Sequence, residues 1–185
     1  INSLFTQGPL QETGRELDVA IQGQGFFEVE LPTGEYAYTR HGVFQVDDAG
    51  MLVTSSGYRL SAGIFIPPET QSLIIAEDGL ITAKLADGFR EELGYLPLYS
   101  VDNPEGMLPI GENLYLPTQQ SGMIQEMIPG EEGMGIFKQG YLEASNVNMV
   151  EEMTQLLTAQ RAYQLSSRSV QVADEMWGIA NNLRR

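Results

Sequence analysis

Along the first three quarters of the chain, apolar residues come in short bursts broken by Gly, Pro and Asp. From Asn148 to Trp177 they instead recur every three or four positions, with neither Gly nor Pro between them. The first pattern predicts strands. Asp18–Ile21, Phe26–Leu31, Tyr36–Thr39, Val43–Val46, Met51–Thr54, Leu73–Ile75, Leu80–Leu85 and Leu96–Val101 combine β-branched, aromatic and alternating residues at strand length. Thr33-Gly34, Asp48-Ala49-Gly50, Asp78-Gly79 and Asp87-Gly88 fall between them. Gly supplies the positive φ of a tight turn, and a preceding Asp bonds its own backbone. Residues 102–135, with Asn103-Pro104, Pro109, Pro117 and Pro129-Gly130, read as long loops interrupted by one short strand at Asn113–Leu116. No helical period separates the strands, which disfavours a parallel α/β fold. The expected fold class is mainly β with a long C-terminal α-helix: an antiparallel β domain, as a curled sheet or barrel-like sandwich, followed by an amphipathic helix.

The helix has its own signals. Asn148 is placed to cap it, Glu151 three positions later completes a capping box, and Arg184 and Arg185 fall at the opposite end. One apolar row holds Met149, Met153, Leu156, Tyr163, Val170 and Trp177; a second holds Val150, Leu157, Leu165, Val172, Met176, Ile179 and Leu183. Unbroken from Asn148 to Leu183, the helix would run about 54 Å at ~1.5 Å per residue. That outreaches a β domain of this size, so its stripe needs another surface, most simply another helix. Gln160, Ser167 and Asp174 interrupt the spacing too often for a regular two-stranded coiled coil. The helix methionines then suit an adaptable association surface. The chain divides into an N-terminal linker segment (1–16), a β-rich outer domain (17–141), and a linker with the long helix (142–185).

Composition narrows the function. Ten Lys and Arg face 25 Asp and Glu across 185 residues, a net charge of −15. Nucleic acid and anionic lipid would repel such a chain. No apolar run approaches the ~20 residues of a membrane helix, and the first residues lack the layout of a cleaved signal peptide. With no cysteine, thiolate metal sites, thiol nucleophiles and disulfides are excluded together.

Catalytic constellations are absent in the sequence. His41 is the sole histidine, which rules out a multi-imidazole metal site, and no G-x-S-x-G elbow accompanies it. A turn histidine beside Arg40 is the plainer reading. Gly23-Gln24-Gly25 precedes a strand and lacks the third glycine of a dinucleotide loop. Asp47-Asp48-Ala49-Gly50 lacks the ligand alternation of a calcium loop and reads as a solvated hairpin turn. Glu91-Glu92 and Glu131-Glu132 are carboxylate pairs without the aromatic surroundings of a sugar site. No cofactor is expected.

Several runs together resemble the bacterial flagellar rod and hook proteins. The run Gln139–Glu152 is similar to that family's C-terminal signature, continued by Gln160–Tyr163. Upstream, Leu17–Phe27, Tyr38–Arg40, Gly42–Phe44, Asp48–Thr54 and Gly111–Tyr115 follow in order. The distal-rod type matches best, with the proximal rod or another hook-basal-body paralogue as runner-up. The resemblance implies a structural subunit without catalysis, exported by the flagellar type III apparatus and placed in the basal body outside the cytoplasmic membrane. It implies a β domain outside a helical tube, with terminal helices packed as the inner layer. Implied partners are other copies of the chain, other rod and hook axial proteins, and surrounding rings or cell wall, with no nucleic acid and no membrane insertion. The expected assembly residues are Asn146 and Asn148, where linker becomes helix, and Met149, Met153, Leu156, Leu157, Tyr163, Val170, Met176, Trp177 and Leu183 along it. Two departures stand out. The family's N-terminal helix, expected before Phe5–Leu10, has no counterpart, which implies a shortened or processed chain. Gln164 and Ser166 stand where the family usually shows Glu and Asn. The competing class is a secreted glycan-binding module or hydrolase built on the β domain.

Overall fold

A computed structural model describes residues 5–131, 133–146 and 149–182; within the helix, side chains are described at 153–154, 156–169, 171–172 and 176. The chain separates into two compact units, Ile1–Asn146 and Val147–Arg185.

The first unit is antiparallel β throughout its strand pairs. In chain order its strands are β1 (Leu10–Glu12), β2 (Val19–Gln22), β3 (Phe27–Glu30), β4 (Tyr36–Thr39), β5 (Phe44–Val46), β6 (Leu52–Thr54), β7 (Arg59–Leu60) and β8 (Thr70–Ile75). They continue as β9 (Leu80–Leu85), β10 (Arg90–Tyr95), β11 (Leu98–Val101), β12 (Leu108–Gly111), β13 (Leu114–Leu116), β14 (Ile124–Met127), β15 (Ile136–Gln139) and β16 (Tyr141–Glu143). A seven-stranded sheet runs β12-β13-β4-β3-β7-β6-β5, and a three-stranded one β10-β9-β8; β1-β16, β11-β14 and β15-β2 pair as ribbons. The sheets are open, so the curled-sheet form of the expectation describes them better than a closed barrel.

Alternation along β3 and the residue before it organises the interior. Phe27 points into the main core, edge-on to Phe44 (5.0 Å between centroids) and stacked on Phe137 (5.5 Å). Val19, Ile21, Leu52, Ile81, Leu96 and Leu98 fill the space around these rings. Phe26, one residue earlier, belongs to a second cluster with Tyr38 and Met107, which Phe5, Tyr99 and Tyr115 flank. Successive side chains on an extended strand face opposite ways, so one Phe-Phe pair anchors two cores.

Residues 102–135 are more regular than expected. They contain β12 and β14 as well as β13. The β12–β13 connection is a two-residue turn in which Glu112 (φ 52°) and Asn113 (φ 60°) both adopt the left-handed region.

The second unit is α1 (Met149–Asn182), 34 residues of uninterrupted helix. At ~1.5 Å per residue it is about 51 Å long. The proposed cap Asn148 lies outside the described residues, as does the side chain of Glu151.

Candidate assembly surface

At the C-terminal end of the β unit, a set of polar contacts ties its first described residues to its last. Arg40, following β4, is the hub. Its Nε donates to Glu143 Oε2 (2.8 Å), its NH1 to the Gly25 carbonyl (2.9 Å) and its NH2 to the Gly23 carbonyl (3.0 Å). Both side chains of the ion pair are largely buried, at 17% and 13% exposure. This explains the Gly23-Gln24-Gly25 motif. The two glycines take φ of 118° and 130°, which directs their carbonyls to one guanidinium. Glu143 uses its other oxygen to accept the Gly8 amide (2.9 Å), and a Cβ at Gly8 would collide with the Ala144 carbonyl. Gln7 bonds the same loop through Ile21 and Gly23. Asn146 Nδ2 donates to Thr6 Oγ1 (2.7 Å) and to the Thr6 carbonyl (3.0 Å). β1 pairs with β16, and Phe5 packs edge-on against Phe26 and Tyr115. The paths into and out of the β unit are thus held side by side.

On α1, Met153, Leu156, Leu157, Tyr163 and Met176 all lie exposed, and so do Leu165 and Val172. Leu156 and Tyr163 are seven residues apart on one face. Tyr163 and Leu165, 76% and 68% exposed, stand about 200° apart around the axis at ~100° per residue. The helix therefore presents apolar surface on opposite sides. Met149, Val170 and Trp177 fall within α1, but their side chains lie outside the described residues, as does Leu183 altogether. Sequence patterning gives no sign of the contacts of Arg40, Glu143 and Phe5. Arg40 and Glu143 are 103 positions apart, and no local pattern joins them.

Comparison with known proteins points the same way. The family model described as "Flagellar hook protein FlgE/F/G D1 domain" matches residues 20–83, and "Flagellar basal body rod FlgEFG protein C-terminal" matches residues 138–183. The flagellar basal-body rod protein FlgG of Borreliella burgdorferi is 46% identical over 186 residues, covering 98% of this chain and 70% of that relative.

The chain belongs to the flagellar basal-body rod protein FlgG family.

FlgG of Caulobacter vibrioides is 43% identical, over 96% of this chain and 68% of its own length. The flagellar hook-basal body complex protein FlhP of Bacillus subtilis is 31% identical, over 96% and 69%. The first of the two family-model matches spans β2 to β9. The second begins inside β15 and takes in both Glu143 and the described helix. The remaining features fit their plain readings. Asp47 Oδ1 accepts the Ala49 (2.9 Å) and Met51 (2.8 Å) amides, making the Asp47–Gly50 segment a self-bonded hairpin turn. His41 is half-buried beside Arg40. Glu91 and Glu92 lie on strand β10, and Glu132 lies outside the described residues. No helix among the described residues is long and apolar enough to cross a membrane.

Proposed function

We propose that this chain is a structural subunit of the flagellar basal-body rod, of the distal-rod type, and that α1 is the element through which copies of it meet one another and other axial proteins. The observation that carries this reading is the exposure of large apolar side chains on opposite faces of α1. Fully burying one Leu or Met side chain contributes about 1.5–3 kcal/mol. A helix with two such faces is stabilised most when flanked on both sides. In this reading residues 17–141 form the outer domain and 142–185 the linker and inner helix. Asn146, held by its bonds to Thr6, and Asn148 mark where that linker becomes helix, and Met149, Val170, Trp177 and Leu183 extend the seam. Head-to-tail contacts that do not close generate a filament, and many small contacts summed along it give the stiffness that torque transmission to the hook requires. The rod lies in the basal body, outside the cytoplasmic membrane, and this subunit acts there by binding rather than by catalysis.

The test is the double substitution Leu156→Asp, Tyr163→Asp. Motile cells carrying it lose swimming, the purified chain loses self-association by light scattering, and the thermal transition of the β unit stays in place. Unimpaired swimming refutes the reading.

A further inference from the structure

The last two strands of the β unit are held in different ways. β15 carries Phe137, 1% exposed in the main core, and pairs with β2. β16 contributes no side chain to any of the three apolar clusters, and its residues are all half-buried. Two of the three residues of its partner β1 are exposed. Apolar burial therefore ends with β15, and from there to Asn146 the chain is held chiefly by polar contacts. At the boundary lies a firm anchor. The Gln139 carboxamide donates through Nε2 to the carbonyls of Leu73 (2.7 Å) and Glu16 (2.8 Å), and its Oε1 accepts the Ile75 amide (3.2 Å). One side chain thus satisfies two backbone groups of β8. Gly140, at φ 76°, donates its amide to the Asp18 carbonyl (2.7 Å), and its carbonyl accepts the Thr13 (2.8 Å) and Gly14 (3.2 Å) amides.

Beyond that anchor the contacts come in series. Tyr141, Leu142 and Glu143 lie opposite Glu12, Gln11 and Leu10 in turn. The Ala144 amide then donates to the Pro9 carbonyl (2.9 Å), and Asn146 reaches Thr6. The two strands are antiparallel, so a chain leaving at Asn146 draws on the Leu10–Glu143 end of the ladder. Its pairs then open one after another instead of all together. Among these contacts the Arg40–Glu143 ion pair is largely buried, and parting it leaves two charges without their partner.

We propose that residues 141–146 form a releasable strap that peels from β1 while the apolar cores stay shut, with the Arg40–Glu143 pair as its lock and Gln139–Gly140 as its stop. Segments that bury few apolar side chains open locally at lower cost than the cores they adjoin. Six freed residues extend to about 20 Å at ~3.3 Å each. The connection between the β unit and α1 therefore lengthens without either unit unfolding. Such slack lets a helix held among neighbours adjust its seat while its β unit remains folded. That use rests on the self-assembly through α1 proposed above; the opening of the strap does not.

Native-state hydrogen exchange on the full-length chain reads the opening. The Gly8 and Ala144 amides are expected to exchange through one shared opening, well ahead of those of Ile75, Gly140 and Val19. Glu143→Gln keeps the side-chain shape and removes its charge. It speeds Gly8 and Ala144 about ten- to a hundredfold, the loss of one charged hydrogen bond, and leaves the other three unchanged. Gln139→Leu, which removes the stop, moves Ile75 and Gly140 into the fast group. Equal rates for all five amides in the unaltered chain overturn the strap, as does equal acceleration of all five by Glu143→Gln. For its use in assembly, Gln11→Cys with Leu142→Cys ties β16 to β1, since directly opposed residues lie within disulfide reach. The chain has no other cysteine, so one bridge forms. The oxidised protein is expected to lose self-association by light scattering and to regain it on reduction. Equal association in both states overturns the role of the slack and leaves the helix reading in place. An unaltered chain that stays monomeric overturns association through α1, and with it that role, while the exchange rates still decide the strap.

Discussion

Arg40 ties the Gly23–Gly25 loop to Glu143 of β16. Its planar fork bonds two glycine carbonyls and a carboxylate at once, in geometry that a lysine ammonium does not reproduce. Replacing it by Ala leaves Glu143 and the Gly23 and Gly25 carbonyls without their shared donor. Arg40→Ala is expected to cost about 3 kcal/mol in a urea titration, and Arg40→Lys to recover only part of that. The aromatic cluster nearby carries a second prediction. Burial and the hydrogen bond to Glu28 (2.6 Å) raise the Tyr38 phenol far above the ordinary value of 10, and burial pushes Tyr99 up to about 12. The neutral phenols are the ones the fold favours. Their contribution is intact below pH 10 and is lost as pH rises through about 12. An alkaline titration followed by phenolate absorbance should therefore show late-titrating tyrosines, with the unfolding midpoint falling over the same interval.

At the scale of elements, what the sequence made legible was local and what it hid was not. Tyr36–Thr39 and Leu80–Leu85 were readable to the residue, because alternation and the flanking turns are written into a few neighbouring positions. Asp78 and Asp87 each accept an amide two residues on, as the Asp-Gly pairs lead one to expect, whereas at the Asp48-Ala49-Gly50 turn it is the preceding Asp47 that accepts the Ala49 amide. By contrast, β1 and β16 are exposed or half-buried three-residue strands that exist because they find each other across the chain. β10 was invisible because Arg90, Glu91 and Glu92 replace an apolar alternation; charges and a bulge after Glu92 suit a sheet edge that must not recruit another strand. The β12–β13 hairpin was hidden for a chemical reason: Glu112-Asn113 occupies a turn that normally selects Asn-Gly. Glu112→Asn with Asn113→Gly should relieve left-handed strain and raise stability by about 1 kcal/mol in thermal melts. The bond from Thr39 Oγ1 to the carbonyl at 113 survives that change. The extent of α1 is likewise local, readable from a run without Gly or Pro, whereas the Arg40 clasp needed the fold.

For the whole molecule, charge and cohesion are distributed unequally. The net −15 resides entirely in residues 1–146, and the segment after it is neutral overall. The β unit holds its own cores, and the hydrogen bonds described for it include those from Asn146 to Thr6. A chain ending at Asn146 should keep the thermal midpoint of the intact protein to within a degree or two, as read by near-ultraviolet circular dichroism, while no longer self-associating through α1. A large fall in the midpoint would mean that the second unit supports the first. The Thr6–Asn146 bonds bring one more consequence. Because Thr6 and Asn146 lie side by side, loops elsewhere in the β unit can lengthen, shorten or be exchanged without moving either of these two points.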